Sequence, residues 1–265
     1  MINEIEQKEL RNRFNPDGSP LRIFQLQTLD ILIKVDEFCR EHNIRYWLSS
    51  GTMLGAARHG GFIPWDDDID IDMFEDDYKK FVDMANKYGL PDGLVLQNQK
   101  TDKYYYLQHA KVRNEDIKAR DVFAIDKDYL YQGIFIDIFP LRKCVKCIIK
   151  PFSIFEKIQA KLQIYIRPRF LRRLILQLYH FVFFILLIKP IAYIASKLGT
   201  VYYDSLGSRW SPCPRKKEDI LPLKECEFEN HKFYCPNNVD NYLKAMYGDW
   251  EKLPDLNKIK VHTVL

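Results

Sequence analysis

The hydrophobic positions of this chain fall into several kinds of order. From Leu21 onward, Leu21, Phe24, Leu29, Leu32, Ile33, Val35 and Phe38 recur at helical spacing with charges between them. That pattern predicts an amphipathic helix over residues 21–43. The residues before it are polar and end in the turn-forming run from Asn15 to Pro20, so 1–20 reads as a polar arm. Arg45 to Leu48 predicts a short strand, Gly51 a turn, and Thr52 to Arg58 a second helix closed by Gly60 and Gly61. Asp68 to Phe74 alternates acid and apolar residue, a strand pattern. Asp76 or Asp77 is placed to cap a helix running to about Asn86. Leu94 to Leu96, Tyr104 to Arg113 and Gly133 to Phe139 predict further strands. These elements predict an α/β core with a mixed sheet over residues 21–142. From Cys144 to Leu198 the pattern changes to long helices, and 200–265 ends with a helix near Val239 to Tyr247. No internal repeat is visible.

With 47% hydrophobic and 29% charged residues in 265, the chain is expected to bury a sizeable core and not to be disordered. Its net charge of +4 is unevenly spread. Between Leu141 and Thr200 twelve Lys or Arg face the single acid Glu156, a net of +11 that leaves the rest at about −7. The first residues carry no basic start and no apolar stretch, which argues against a signal peptide and for a cytoplasmic protein with reduced thiols. Cys144-Val145-Lys146-Cys147 has metal-knuckle spacing, but the remaining cysteines are scattered, so free thiols are the better reading.

The acidic run carries the most chemistry. In a strand, residues two apart share a face, so Asp68, Asp70 and Asp72 line up, joined by Asp66 if the strand starts early. Ile69, Ile71 and Met73 face the opposite way, into a core. Stacked like charges repel, and a hard divalent cation such as Mg²⁺ or Mn²⁺ relieves that repulsion. A solvated edge strand is the alternative. Asp137 sits alone in the apolar run Gly133 to Phe139. A lone buried carboxylate needs a partner, either a metal shared with Asp68 and Asp70 or a Lys or Arg. The turn Ser49-Ser50-Gly51-Thr52, between a strand and a helix, can offer backbone N–H groups to a phosphate.

In this order the three elements resemble the nucleotidyltransferase superfamily. More narrowly, Gly51 to Asp70 is similar to the signature of the LicD family, Gly133 to Leu141 to its second block, and Tyr247-Gly248-Asp249-Trp250 with Leu253-Pro254 to its C-terminal block. The resemblance covers about residues 25–260 and is poorest over 143–235. It implies a nucleotidyltransferase-like core at 21–142, with a basic helical lobe and a C-terminal segment completing the site at 143–265. It implies transfer of phosphocholine, or a related phospho-alcohol such as ribitol phosphate, from a CDP-linked donor to a glycan. Asp68, Asp70 and Asp137 would then be the catalytic, metal-binding acids.

The expected mechanism places Mg²⁺ on Asp68 and Asp70 against the donor diphosphate, in the manner of an in-line displacement. Asp137 completes the site and helps deprotonate the acceptor hydroxyl. Gly51 and Thr52 support a phosphate, and Arg58 and Lys111 neutralise charge as CMP leaves. A C-terminal helix charge for Arg58 and an exposed strand face for Lys111 are the competing readings. His109 and His262 are weaker candidates for a general base. Tyr104, Tyr105, Tyr106, Trp47 and Trp65 are available to cage a choline. The apolar run Leu174 to Ile188 is about fifteen residues, short of the ~20 needed to span a bilayer, and its basic flank suits a helix lying on an anionic membrane surface. No nucleic-acid module accompanies the basic segment, so nucleic acid is not an expected partner. Three rivals remain open: a glycosyltransferase using a nucleotide-sugar through a DxD motif, a true nucleotidyltransferase releasing pyrophosphate, and a regulator that kept the fold without the chemistry.

Overall fold

The computed structural model describes residues 3–118, 120–121, 128–204, 213–259 and 263–264. The polar N-terminal arm forms a helix: α1 (Glu4–Phe14) is capped by Asn3, whose side chain accepts from the Glu6 N–H. Its polar surface hid it from a periodicity search, because Leu10 is its single buried residue. The expected long helix forms as α2 (Pro20–Glu41), with Ser19 capping it and Pro20 in its first turn.

After β1 (Trp47–Leu48) come α3 (Ser50–His59), β2 (Asp70–Phe74) and α4 (Glu75–Tyr88). Gly60 ends α3 in the left-handed conformation, as its glycine predicted. Gly55, inside α3, packs so tightly that a Cβ there would overlap the carbonyl oxygen of Gly61. Gly55→Ala is expected to lower stability by about 1–3 kcal/mol, measured by urea titration; a neutral substitution would mean that the 60–63 turn is free to move. Neither Asp76 nor Asp77 caps α4. Asp77 instead accepts from the Arg45 backbone N–H and from its guanidinium at 2.8 Å.

The chain continues through β3 (Val95–Gln97), β4 (Ala110–Lys118), β5 (Arg120–Asp121) and β6 (Gly133–Cys144). β4 starts later than the aromatic run suggested. Asp102 accepts from the Tyr104 and Leu130 N–H groups and from Gln97, holding 102–109 as a loop. Then follow α5 (Lys146–Tyr165), α6 (Arg169–Tyr179), a π-type segment His180–Ile188, and α7 (Lys189–Leu198). The last part holds β7 (Val201–Asp204), α8 (Lys217–Ile220), β8 (Lys224–Phe228), β9 (His231–Cys235), α9 (Val239–Tyr247) and β10 (Thr263–Val264).

The main sheet runs β1-β2-β6-β4-β3, with β7 on the end of β6. β2 and β6 are parallel and its other pairings antiparallel, a mixed α/β arrangement. The parallel register sets Asp70 directly beside Asp137. α2 packs on β4 and β6, and α4 on β2, β3 and β6. One core joins α2, the sheet, α4 and the C-terminal residues Ile220, Phe228, Phe233, Tyr242, Leu243 and Trp250. The helical segment has a smaller cluster of its own, built by Cys144, Ile149, Phe152, Ile188, Ala192, Ala195 and Tyr203.

Candidate active site

The acids gather at the N-terminal end of β2, where the chain leaves α3 and turns into the sheet. Asp66 and Asp68 lie before the strand rather than in it, because β2 begins at Asp70. One oxygen each of Asp66, Asp67 and Asp68 lies within 4.8 Å of the others. Asp70 and Asp137 stand beside them on neighbouring strands. Asp70 and Asp137 pair across neighbouring strands within electrostatic reach of Asp68, while among the described residues the carboxylates close enough to share one ion are Asp66, Asp67 and Asp68. Their signal was present in the same acidic run. Asp72, expected on the same face, is wholly buried elsewhere in a hydrogen-bonded ion pair.

Backbone bonds fix this cluster. The Asp70 N–H donates to Thr52 Oγ1 at 2.8 Å, and the Ser49 N–H donates to the Asp70 carbonyl at 3.0 Å. Thr52 thus holds Asp70 with its side chain. Gly51 makes room for an acid: a Cβ there would lie 2.7 Å from Asp66 Oδ2. Gln25, fully buried on α2, donates to the Asp66 carbonyl at 2.7 Å and accepts from Asn15. Gln25 escaped the sequence reading, although a polar residue four positions from Leu21 and from Leu29 on an apolar helix face was the available signal.

The electrostatics are those of crowded carboxylates. Burial and the Asp68 charge push Asp66 well up, and burial with Asp68 and Asp137 does the same to Asp70. Asp68 keeps an exposed edge, yet its packed side, followed by Asp67 and Asp137, pushes it up to about 6. Burial also acts on Asp137, but Lys111 and His109 outweigh it and hold that carboxyl well below the usual range. Lys111 Nζ lies 2.6 Å and His109 Nε2 3.2 Å from the same Asp137 oxygen. Asp137 therefore has the cationic partner that the sequence left open, and is a poor base for an acceptor hydroxyl. Lys111 is buried on Asp137 and over the Phe135 ring rather than on an exposed strand face.

Arg58 does not reach toward the acids as expected. It donates to the carbonyl oxygens of Trp250 and Lys252 at 3.0 and 3.2 Å, and to His59 Nε2. The His59 Nδ1–H then donates to Gln7 at 2.6 Å, and burial with the Arg58 charge pushes His59 down to about 3. Arg58 so pins the C-terminal block; its Tyr247 keeps an exposed edge, while its packed side and the charges of Asp70, Asp66 and Asp68 raise the phenol. Trp47 is wholly buried in the core and Trp65 packs on Phe14 and His59. His262 falls outside the described residues. The six cysteines are free, and the Cys144–Cys147 pair joins no metal-binding group among the described residues.

The donor set fits a hard divalent cation. All its atoms are carboxylate oxygens, and Asp67 Oδ2 is buried without a hydrogen-bond partner. A bound cation would compete with protons for these oxygens. Unfolded carboxylates titrate near 4, whereas Asp68 is raised to about 6 and Asp66 and Asp70 are raised as well. Between about pH 4 and pH 6 the folded protein binds more protons than the unfolded chain, so this cluster's contribution to stability falls as pH rises. Asp137 acts in the opposite sense, below about pH 4. Mg²⁺ is expected to raise the melting temperature more near pH 7 than near pH 5. Equal shifts at both would show that the cation does not sit on these carboxylates.

The fold and site define an α/β protein with a carboxylate cluster beside a helix N-terminus. Residues 43–164 match the family described as LicD/FKTN/FKRP, nucleotidyltransferase domain. The chain is 30% identical over 260 residues to lipopolysaccharide cholinephosphotransferase LicD of Haemophilus influenzae, covering 92% of this chain and 96% of that one. It is 34% identical over 113 residues to mouse ribitol-5-phosphate transferase FKTN, and 56% identical over 34 residues to human ribitol 5-phosphate transferase FKRP. These two matches cover only 24% and 7% of those longer proteins. The chain belongs to the LicD family, and its activity class is phosphotransfer.

Proposed function

We propose that this chain transfers phosphocholine, or a related phospho-alcohol, from a CDP-linked donor to a hydroxyl of a cell-surface glycan or its lipid-linked precursor, of lipopolysaccharide, teichoic acid or capsule type. The hydroxyl oxygen forms a bond to the donor's distal phosphorus, the bond from that phosphorus to the bridging oxygen breaks, and CMP departs with that oxygen while the hydroxyl proton passes to a base. Asp68, Asp70 and Asp137 would hold Mg²⁺ or Mn²⁺, which when bound supplies charge neutralisation on the diphosphate. The chain's own residues do the rest. Thr52 and Ser49 fix Asp70 through the main chain. Lys111 and His109 keep Asp137 ionised and oriented. Arg58 seats the segment that carries Tyr247 over the acids. We place the enzyme in the cytoplasm, at the inner face of the membrane.

The observation that carries this reading is the Asp70–Asp137 pairing beside Asp68 in a chain that matches a cholinephosphotransferase along nearly its whole length. Phosphocholine is favoured over ribitol or glycerol phosphate because the ribitol phosphate transferases match over far shorter stretches. Transfer from a nucleotide-sugar loses ground to the family membership. The test is a donor panel with Mg²⁺ and a glycolipid extract, covering CDP-choline, CDP-ribitol, CDP-glycerol and UDP-sugars. Acceptor-dependent CMP release from one CDP-alcohol, abolished by EDTA, is expected. Release of UDP alone would overturn the reading, as would pyrophosphate as the product.

A further inference from the structure

Arg169–Leu198 forms one continuous helix of 30 residues. It runs through Lys189 and Pro190, past the end of the apolar run at Ile188. By length and composition it is therefore long and apolar enough to cross a membrane, contrary to the fifteen-residue reading. Only 11% of its most apolar 18-residue stretch is buried. Two faces divide the helix. Arg172, Leu176, Ile188, Ala192 and Ala195 are buried at helical spacing along one side. Leu171, Leu174, Leu178, Phe181, Leu186 and Ile194 are exposed. The neighbouring helix α5 exposes a stripe of its own, with Ile154, Ile158 and Tyr165 sharing a face with Lys161.

We infer that this apolar face docks on an anionic lipid bilayer, with the helix lying in the plane of the interface and not crossing it. The inner stripe decides the orientation. Near the start of the helix, Arg172 is held by the buried Asp128, which also receives Arg169 and Arg173. In the middle, the Tyr179 hydroxyl donates to the Phe155 carbonyl at 3.0 Å. Near the end, Ile188, Ala192 and Ala195 pack with Cys144, Phe152 and Tyr203. From Arg172 to Ala195 the helix is thus fastened to the domain over roughly 35 Å at 1.5 Å per residue. A helix so fastened could cross the hydrocarbon only by dragging the polar domain in with it, which burial of its charges forbids. Lying flat, it buries only its outer side chains, to a depth of about 5–10 Å.

Charge selects the occupant. Lys150, Lys157, Lys161, Arg167, Arg169, Lys189 and Lys197 are exposed around this face, in a segment whose net charge is +11. A second copy would bring two such segments together and be repelled, whereas anionic headgroups attract them. The surface also connects to the carboxylate cluster. His180 lies tilted against Tyr106 with ring centroids 5.2 Å apart, and Gln159 donates to the Tyr106 carbonyl. Three residues further on, His109 contacts Asp137. Docking therefore holds the Asp137 side of the site close to the headgroups, where a lipid-linked acceptor is presented; this last step rests on the function proposed above, while the docking itself does not.

The test is flotation of the full chain with vesicles, which is independent of catalysis. The protein is expected to float with phosphatidylglycerol-containing vesicles and to be released by alkaline carbonate. Leu178→Glu with Phe181→Glu is expected to cut the floated fraction at least about tenfold with an unchanged melting curve. Lys157→Ala with Lys161→Ala should weaken binding by about fivefold per lysine removed, an effect lost at high salt. Failure of the unsubstituted protein to float overturns the proposal, and so does flotation unaffected by the two glutamates. Resistance to carbonate would instead make the helix a span. A soluble dimer that the same glutamates dissociate, without flotation, would make the face a protein interface. A silent donor panel with normal flotation would leave the docking standing and remove only the proposed reaction.

Discussion

Asp70→Asn is expected to abolish phosphotransfer, with a loss on the order of a thousandfold, while making the metal-free protein no less stable. The two effects separate because Asp70 is fixed through its main chain. Its N–H donates to Thr52 Oγ1 and its carbonyl accepts from the Ser49 N–H, and an asparagine keeps both bonds. The side chain, by contrast, stands near Asp68, Asp137 and Asp66, and burial together with their charges pushes its carboxyl well up. Removing that charge relieves repulsion in the metal-free protein and removes a ligand from the loaded one. CMP release, circular dichroism and the Mg²⁺-dependent melting shift read the three consequences in turn. Full activity in this variant would sink the mechanism. A collapsed fold would show instead that the carboxylate is structural.

Asp72→Ala should do the opposite, costing about 3–5 kcal/mol of stability, read from the urea midpoint. Asp72 was expected to share the metal-facing side of the strand. It lies instead under the site, accepting from the Tyr242 hydroxyl at 2.8 Å and 3.4 Å from Arg215. Burial pushes its carboxyl up, Arg215 pulls it back, and it settles at about 6. Arg215 is itself 2% exposed on its side chain and shares Asp204 at 3.6 Å. Alanine would leave the guanidinium short of one carboxylate and the Tyr242 hydroxyl short of its acceptor. Asp72→Asn keeps the hydrogen-bond acceptor and should cost less. A near-neutral Asp72→Ala would mean that Asp204 alone satisfies Arg215.

The comparison of these two aspartates shows how far the sequence pattern reaches. Alternation in Asp68 to Phe74 announced a strand with acids at every second place, which forms only from Asp70 on, and the apolar run around Asp137 announced a second, covered strand. Both formed, as β2 and β6. Alternation alone does not tell an acid at the open end of a strand from one two residues further inside. Asp70 stays partly open, while Asp72 is roofed by Tyr242 and Arg215, which arrive from residues about 140 or more positions later. The same limit applies to Arg58. Its place after a helix beside the acids suggested a phosphate ligand, and the C-terminal carbonyls that take up its donors are almost two hundred residues away.

Local order was therefore in the sequence. The helices α2 and α3, the alternating acids, the glycine that closes α3 and the basic character of the helical segment follow from spacing and residue type, because they depend on neighbours a few positions apart. The tertiary structure decided what each charged group faces. It paired Asp137 with Lys111 and His109, drew Asp66 and Asp67 into the cluster, turned Arg58 to the C-terminal segment, and laid Arg169–Leu198 along the domain with its apolar side outward. A carboxylate's role depends on distance and burial within a few ångströms, and those are set by which distant segments pack over it.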